Sequence, residues 1–208
     1  MHHPLFQRHF TACPIIPVLP GVTPEEVEAI GEAIFEAGIR IIEVPLNSPE
    51  PMKSIETLAK RMSDRALVGA GTVLTPKQVD EVRRAGGQLI VSPNSNPEVI
   101  AATVAAGMVS CPGVFTPSDA FAALEAGAHA LKLFPAEAAS PAYLKAQRAV
   151  LPKDVPILVV GGIKPELMAA WVEAGADGFG LGSGVFKPGN SAAQVLENAR
   201  AYVAALSK

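Results

Sequence analysis

The fold of this chain is indicated by the stretch Glu125-Ala126-Gly127-Ala128-His129-Ala130-Leu131-Lys132-Leu133-Phe134-Pro135. Its first three residues are typical of the end of a helix, because Gly127 can adopt the left-handed conformation that closes one. The apolar residues that follow predict a short β-strand that is stopped by a proline. Lys132 interrupts this strand near its end, where a buried and unpaired ammonium group would be strongly unfavourable.

The same pattern, a helix that ends in Ala-Gly and is followed by an apolar strand, recurs along the chain. The further glycines that end such helices are Gly38, Gly86, Gly107 and Gly175. A strand that follows each helix at a regular interval is typical of βα units and of a parallel sheet.

Helix-cap signals and apolar runs locate the remaining units. Strands are predicted at residues 15–19, 39–44, 66–71, 89–92, 108–111, 128–135, 155–160 and 178–182. Helices are predicted to begin near Thr23, Pro51, Thr75, Asn96, Thr116, Ser140, Lys164 and Ser191. Eight strands and eight helices predict an α/β fold, a single-domain (β/α)₈ TIM barrel over residues 1–208. An open doubly wound sheet is the alternative, and it would need a switch in strand order.

Composition bounds the class of protein. The chain has 208 residues, of which 49% are hydrophobic, and this is enough for one domain with a full core. A net charge of -3 implies no basic surface for nucleic acid. No run approaches the about 20 apolar residues of a membrane span, and the N-terminal segment with His2 and His3 lacks the apolar run of a signal peptide. Cys13 and Cys111 are predicted to be reduced core thiols of a cytoplasmic protein.

Two ionisable side chains are predicted to point into the barrel. Alternation places Ile39, Ile41 and Glu43 on one face of strand two, and the isoleucines suit the interior. Glu43 would then be a general acid/base or half of a structural ion pair. Lys132 could face solvent or pair with a carboxylate, but a desolvated, neutral amine is a nucleophile toward carbonyl groups. The presence of both residues at strand ends favours catalysis.

Further polar and small residues follow the other strands. Thr72 follows the small residues Gly69-Ala70-Gly71, which allow a ligand close to the backbone, and its hydroxyl could donate to a carboxylate. Alternation places it on one face with Val68 and Ala70. A helix-start role is the alternative for this threonine. Pro93 ends strand four, and Phe134 shares a face with Lys132 as an aromatic wall.

Two glycine clusters follow strands seven and eight. They are Gly161-Gly162 and the segment 180–184, which includes Gly182 and Ser183. Loops at these positions of the barrel commonly bind phosphate through backbone N–H groups, although tight turns alone would also explain the glycines. No cluster of His, Asp or Glu has the spacing of metal ligands, so neither a metal nor another cofactor is expected.

An amine, a carboxylate, a hydroxyl and a phosphate cradle on one rim predict a class I aldolase for a phosphorylated keto acid. A phosphosugar-binding barrel without catalysis, in which Lys132 only pairs with Glu43, is one alternative. A phosphosugar isomerase with Glu43 as base is another, but it leaves Lys132 without a role.

These motifs resemble the 2-dehydro-3-deoxy-phosphogluconate and phosphogalactonate aldolases over about residues 14–204. The resemblance rests on Glu43-Val44-Pro45-Leu46-Asn47-Ser48, Gly69-Ala70-Gly71-Thr72-Val73-Leu74, Ser92-Pro93-Asn94, Leu131-Lys132-Leu133-Phe134-Pro135-Ala136 and Gly161-Gly162. It implies that Lys132 forms a Schiff base and that Glu43 is the general acid/base. It also implies a homotrimer, a pyruvate pocket and a phosphate site, the latter two lined by Thr72, Pro93, Phe134, Gly161, Gly162, Gly182 and Ser183.

Within this family, the chain is more similar to the galactonate type. Val160 and Asn47 stand where the gluconate type has Thr and Arg, and the two substrates differ in configuration at C4. A phosphogluconate or 4-hydroxy-2-oxoglutarate aldolase remains the sister alternative. Pro20 stands where the galactonate type has an Arg, and Lys164 and Lys187 are nearby candidates to replace its charge.

Overall fold

A computed structural model describes residues 3–206, so that Met1, His2, Ser207 and Lys208 lie outside the described residues. The strands are β1 (Ile15–Pro17), β2 (Ile41–Pro45), β3 (Leu67–Gly71), β4 (Leu89–Val91), β5 (Val109–Cys111), β6 (Gly113–Val114), β7 (Leu131–Leu133), β8 (Ile157–Val160) and β9 (Gly178–Leu181). The α-helices are α1 (Pro4–Ala12), α2 (Val27–Glu36), α3 (Pro51–Met62), α4 (Pro76–Arg84), α5 (Pro97–Ala105), α6 (Pro117–Glu125), α7 (Pro141–Arg148), α8 (Pro165–Glu173) and α9 (Ala192–Leu206). Short 3₁₀ helices cover Ser63–Arg65 and Ala136–Ala138.

The strands form one closed ring of parallel pairs. One sheet has the order β1-β9-β8-β7-β6 and the other the order β2-β3-β4-β5. A parallel bridge between Val18 and Glu43 joins β1 to β2. On the opposite side the backbone runs directly from β5 through Pro112 into β6, and the N–H of Lys132 donates to the Pro112 carbonyl at 2.9 Å. The predicted TIM barrel is therefore confirmed, and the order contains no switch of the doubly wound kind.

Two details of the predicted element count differ. Strand five is split into β5 and β6, because Pro112 has no N–H to donate to a ladder. Residues 3–206 also contain nine α-helices rather than eight, and the additional one is α1. Pro4 occupies its first turn, where the ring of proline fits without the loss of a hydrogen bond.

Helix α1 closes the end of the barrel at which the strands begin. Phe6 is buried there against the apolar cluster of the interior. Phe10 stacks on Phe6 with ring centroids 4.7 Å apart, and its ring lies over Gly178, where any Cβ would collide with it. The rest of the interior cluster consists of Ile16, Ile41, Leu67, Leu89, Val91, Val109, Cys111, Ala130, Leu158 and Val160.

Four consecutive helices share one local start, whereas α1 and α3 begin with Pro but have no side-chain cap. Helices α4 to α7 begin with Pro after Thr75, Asn96, Thr116 and Ser140, whose side chains accept backbone N–H groups of the first turn. Helix α8 also begins with Pro, but Lys164 precedes it and makes no side-chain cap.

Two expectations from composition can be compared with the fold. No helix within residues 3–206 has the length and apolar character needed to cross a membrane. Cys13 and Cys111 are free and buried, as expected for core thiols. Burial raises the pKa of Cys111 to about 12, so this thiol stays neutral.

Replacement of Phe6 by Ala should destabilise the barrel. The loss of a buried ring at the closed end leaves a cavity, and we expect a decrease of about 3–5 kcal/mol in the free energy of unfolding, measured by urea denaturation. Arg8→Ala is the matched control, because Arg8 is an exposed residue of the same helix. Equal effects of the two substitutions would show that α1 does not close the interior.

Candidate active site

Glu43 places a carboxylate inside the ring of strands. The residue lies on β2 and is 2% exposed. Its carboxylate lies directly against Gly71 of β3, where any Cβ would collide with it. Its Oε2 atom has no hydrogen-bond partner in the described part of the chain. Burial raises the pKa of Glu43 to about 7, and the charge of Lys132 opposes this rise.

The inward face predicted for strand two is right for Ile41 and Glu43 and wrong for Ile39. Ile41 belongs to the interior cluster, whereas Ile39 packs in the outer layer between strands and helices. The N–H of Ile39 donates to the carbonyl of Ile34 at 3.3 Å, so Ile39 ends the preceding helix instead of starting the strand.

Lys132 lies on β7 and is 9% exposed. Its neighbours Leu131 and Leu133 pack in the outer layer, so alternation directs Lys132 to the interior. The Nζ atom is 4.6 Å from the centroid of the Phe134 ring. Both side chains were predicted to share this face, and the structure brings them together.

Lys132 and Glu43 line one small cavity. Its volume is about 10 Å³, room for about one water molecule, and its other walls are mainly apolar. No ion pair within 4.0 Å joins the two side chains among the described residues. The amine and the acid therefore line one cavity without a direct ion pair, and a single water could relay a proton between them.

A larger cleft of about 470 Å³ begins at Lys132 and Phe134. This is the size of a small-molecule site. It is lined by four residues that the sequence predicts to bind substrate, namely Gly161, Gly162, Gly182 and Ser183. The structure thus brings both predicted glycine clusters to the cavity that holds the lysine.

The glycine clusters form tight turns with unusual backbone angles. Gly161 and Gly162 have φ values of 117° and 64°, which only glycine adopts readily. The N–H groups of Val185 and Phe186 donate to the Gly182 carbonyl at 2.9 and 3.1 Å. The preceding N–H groups of this turn form no hydrogen bond within it, as at the start of a helix.

Three charged residues of the cleft carry little or no signal in the sequence. Lys164 and Lys187, which the sequence marks only as candidates for a missing charge, both line the cleft. Glu137, which the sequence does not single out, lines it as well, and its side chain lies across the glycine pair 161–162. The one indication in the sequence is that Glu137 follows closely after the strand that contains Lys132.

Thr72 and Pro93 lie at the ends of their strands, outside the walls of these two cavities. Val68 and Ala70 face the outer layer, so the face that the sequence assigns to them and to Thr72 points away from the interior. Thr72 departs from that alternation because its φ is 57°, a strained value for a β-branched residue. Pro93 is half-buried, and its carbonyl lies against Gly113.

The histidines do not add a metal site. Within residues 3–206, no group of three or more His, Cys, Asp and Glu side chains is placed to hold a metal ion. His129 accepts the N–H of Ser110 through Nδ1 at 3.0 Å. The two cavities thus bring together the amine of Lys132, the carboxyl of Glu43 with its raised pKa, and the two glycine clusters.

Comparisons with known proteins agree with this chemistry. A model of the family described as KDPG and KHG aldolase matches residues 6–197. The 2-dehydro-3-deoxy-6-phosphogalactonate aldolase of Escherichia coli (strain K12) is 48% identical over 195 residues, which cover 94% of this chain and 95% of that protein. A solved structure described as native KDPGal has a TM-score of 0.92 and 48% identity, and the match covers 93% of this chain and 94% of that one.

A further solved structure bears on the amine. The KDPG aldolase from Legionella pneumophila, with pyruvate captured at low pH as a covalent carbinolamine intermediate, has a TM-score of 0.83 and 31% identity. The match covers 93% of this chain and 96% of that one.

The buried carboxyl predicts a pH dependence of stability. Glu43 ionises near its ordinary value of 4.5 in the unfolded chain but only at about 7 in the folded one. Between these values the folded state binds more protons, so stability falls as pH rises, by about 3 kcal/mol in total. In urea titrations, the unfolding free energy of the wild type minus that of Glu43→Gln should therefore fall by this amount between pH 4.5 and 7.5. A constant difference would contradict the raised pKa.

Proposed function

The chain belongs to the KDPG and KHG aldolase family, and from this premise we propose that it cleaves 2-dehydro-3-deoxy-6-phosphogalactonate to pyruvate and D-glyceraldehyde 3-phosphate. The protein is a carbon–carbon lyase, a class I aldolase. The observation that carries the proposal is the shared cavity of buried Lys132 and Glu43, next to a cleft with a glycine cradle. We assign residues 1–208 to one aldolase domain.

The reaction begins at the amine. Neutral Lys132 attacks the C2 ketone of the substrate and forms a carbinolamine. Protonated Glu43, acting through the single water that the small cavity can hold, gives a proton to the C2 hydroxyl, which leaves as water. The product of this step is a protonated imine, and Glu43 is left as a carboxylate.

The carbon–carbon bond breaks in the next step. The Glu43 carboxylate accepts the proton of the C4 hydroxyl, the C3–C4 bond breaks and the aldehyde leaves. The electron pair passes into the protonated imine, which becomes an enamine. Protonation at C3 and hydrolysis release pyruvate and restore Lys132. Because the imine is the electron sink, this sequence uses neither a metal nor another cofactor.

The remaining site residues hold the two ends of the substrate. Phe134 lines the pyruvate part, which its position 4.6 Å from the lysine nitrogen supports. Thr72 and Pro93, which lie at the ends of their strands beyond the two cavities, are proposed to border the same part of the substrate. The phosphate lies on the glycine clusters, through Gly161-Gly162 and through Gly182 and Ser183.

The choice of the galactonate substrate has two supports. The Escherichia coli relative, which is 48% identical, is a phosphogalactonate aldolase. In addition, Val160 lines both cavities at the position where the gluconate type carries a hydroxyl. An apolar side chain there removes a hydrogen-bond partner for a substrate hydroxyl.

The enzyme is further proposed to be a cytoplasmic homotrimer. Large apolar side chains stay exposed on the single chain, and an interface between copies would cover them. They include Leu74, Phe121, Val150, Leu167 and Val172. The two buried, free thiols suit a reducing compartment.

Trapping with borohydride tests the role of Lys132. Incubation with pyruvate and borohydride should add the mass of one reduced pyruvate imine, located on Lys132 by peptide mass spectrometry. Lys132→Met should form no adduct and lose nearly all turnover, whereas Lys153→Met should keep both, because Lys153 lies in the loop before β8. Glu43→Gln should keep the adduct and lose most of kcat. Full turnover by Lys132→Met would refute the mechanism.

Comparison of the C4 epimers tests the substrate. We expect kcat/KM for the phosphogalactonate epimer to exceed that for the phosphogluconate epimer by about 10–200-fold, the usual discrimination between closely similar substrates. Val160→Thr should lower the ratio of kcat/KM for the two epimers, because it places a hydroxyl in the wall of both cavities. Val159→Thr should leave this ratio unchanged, because Val159 packs in the outer layer. Preference for the gluconate epimer would make the sister activity the correct one.

A further inference from the structure

The cleft contains cations that lack partners. Most arginines and lysines of this surface are paired with a carboxylate, among them Lys53, Lys60, Arg61, Arg65, Lys77, Arg83, Arg84, Arg148 and Arg200. Lys164 and Lys187 form no ion pair with any other described residue, and both line the 470 Å³ cleft. They belong to different loops, the first after β8 and the second after β9.

Lys164 leaves the helix that it precedes without a side-chain cap, as His3 and Glu50 also do before α1 and α3. A lysine side chain has no acceptor and cannot cap the first N–H groups of α8, as hydroxyls and an amide cap α4 to α7. Its positive charge also lies at the positive end of the helix dipole, where an anion is favoured instead. A residue that is unfavourable in both respects is explained if an anion binds beside it.

The position of the anion follows from the neighbours. Lys164 comes two residues after Gly162, and Gly161, Gly162 and Ser183 share the cleft with it and with Lys187. Lys132, buried and without an ion pair in residues 3–206, borders the same cleft at its inner end. An anion on the glycine cradle would thus lie in the same cleft as both ammonium groups.

We propose that Lys164 and Lys187 form a cationic clamp on the phosphate of the substrate, and that this clamp makes the enzyme select phosphorylated over unphosphorylated keto sugar acids. The clamp rests on the proposed aldolase function and adds the residues that determine its specificity. Two ammonium groups match the charge of a phosphate dianion, and an uncharged hydroxyl at the same place would leave them unpaired.

Glu137 has the opposite effect in the same place. It is the single carboxylate among the described residues that line the cleft, and its side chain lies across Gly161 and Gly162. A phosphate that enters the cradle must displace this exposed side chain. Removal of its charge should therefore strengthen phosphate binding, whereas removal of either lysine should weaken it.

The test uses the whole enzyme and variants in which one charged side chain is replaced by a neutral one. Lys164→Thr and Lys187→Met remove the clamp, Glu137→Gln removes the opposing charge, and Lys153→Met is the matched control, because Lys153 is an exposed lysine in the loop before β8. The readouts are kcat and KM with the phosphorylated substrate and with its unphosphorylated analogue, and the Kd of inorganic phosphate by calorimetry.

Each lysine substitution should raise KM for the phosphorylated substrate and the Kd of phosphate about tenfold, as expected for the loss of a charge partner. It should leave kcat, and kcat/KM for the unphosphorylated analogue, within about twofold. Glu137→Gln should lower the Kd of phosphate, and Lys153→Met should change nothing. Lys164→Thr should unfold at the same or a higher temperature, because Thr can cap α8, so weakened binding cannot be ascribed to damage.

Equal losses on both substrates, or an unchanged Kd of phosphate in both lysine variants, would overturn the clamp. The two proposals fail separately. A wild-type enzyme that binds phosphate through these lysines but forms no borohydride adduct with pyruvate would refute the aldolase mechanism alone. An enzyme that forms the adduct while both lysine variants keep wild-type phosphate binding would refute the clamp alone.

Discussion

The site depends on the removal of two ionisable side chains from water inside a ring of parallel strands. Glu43 and Lys132 share an interior that is otherwise almost wholly apolar. Phe6 closes this interior at the end where the strands begin. An isolated charge in such a place is unfavourable, and the pKa of Glu43, raised to about 7, expresses this. The same exclusion of water equips this acid to exchange protons at neutral pH.

The repeating units of the fold were readable because their signals are local. Each Ala-Gly pair closes a helix, and the Pro-based caps at Thr75, Asn96, Thr116 and Ser140 open one. Helix α1 was not predicted because its main stabilising contact is between Phe6 and residues far along the chain. The place of Ile39 was misjudged for a similar reason, since its N–H bonds to the preceding helix and shifts the start of the strand.

The candidate site could be read from the sequence only where a polar residue interrupts an apolar strand. Glu43 and Lys132 stand out in this way, and the glycine clusters stand out by their position. Glu137 and Lys187 are exposed charged residues, which are common on any surface, so only the folded chain shows that they face the cleft. The unusual backbone of Thr72 likewise has no signal in its neighbours.

The ring is joined unevenly around Glu43. Strand β1 pairs with β9 at three positions, but it meets β2 through the single bridge at Val18 and a hydrogen bond from the Leu19 N–H to the Glu43 carbonyl at 3.1 Å. The neighbouring strands with the fewest paired positions are thus β1 and β2, and Glu43 is part of their single bridge. Proteins open first where backbone bonds are fewest. Transient opening between β1 and β2 would move the Glu43 carboxyl away from the Lys132 amine while the other strands stay paired. Heating would therefore inactivate the enzyme at a lower temperature than it unfolds the barrel.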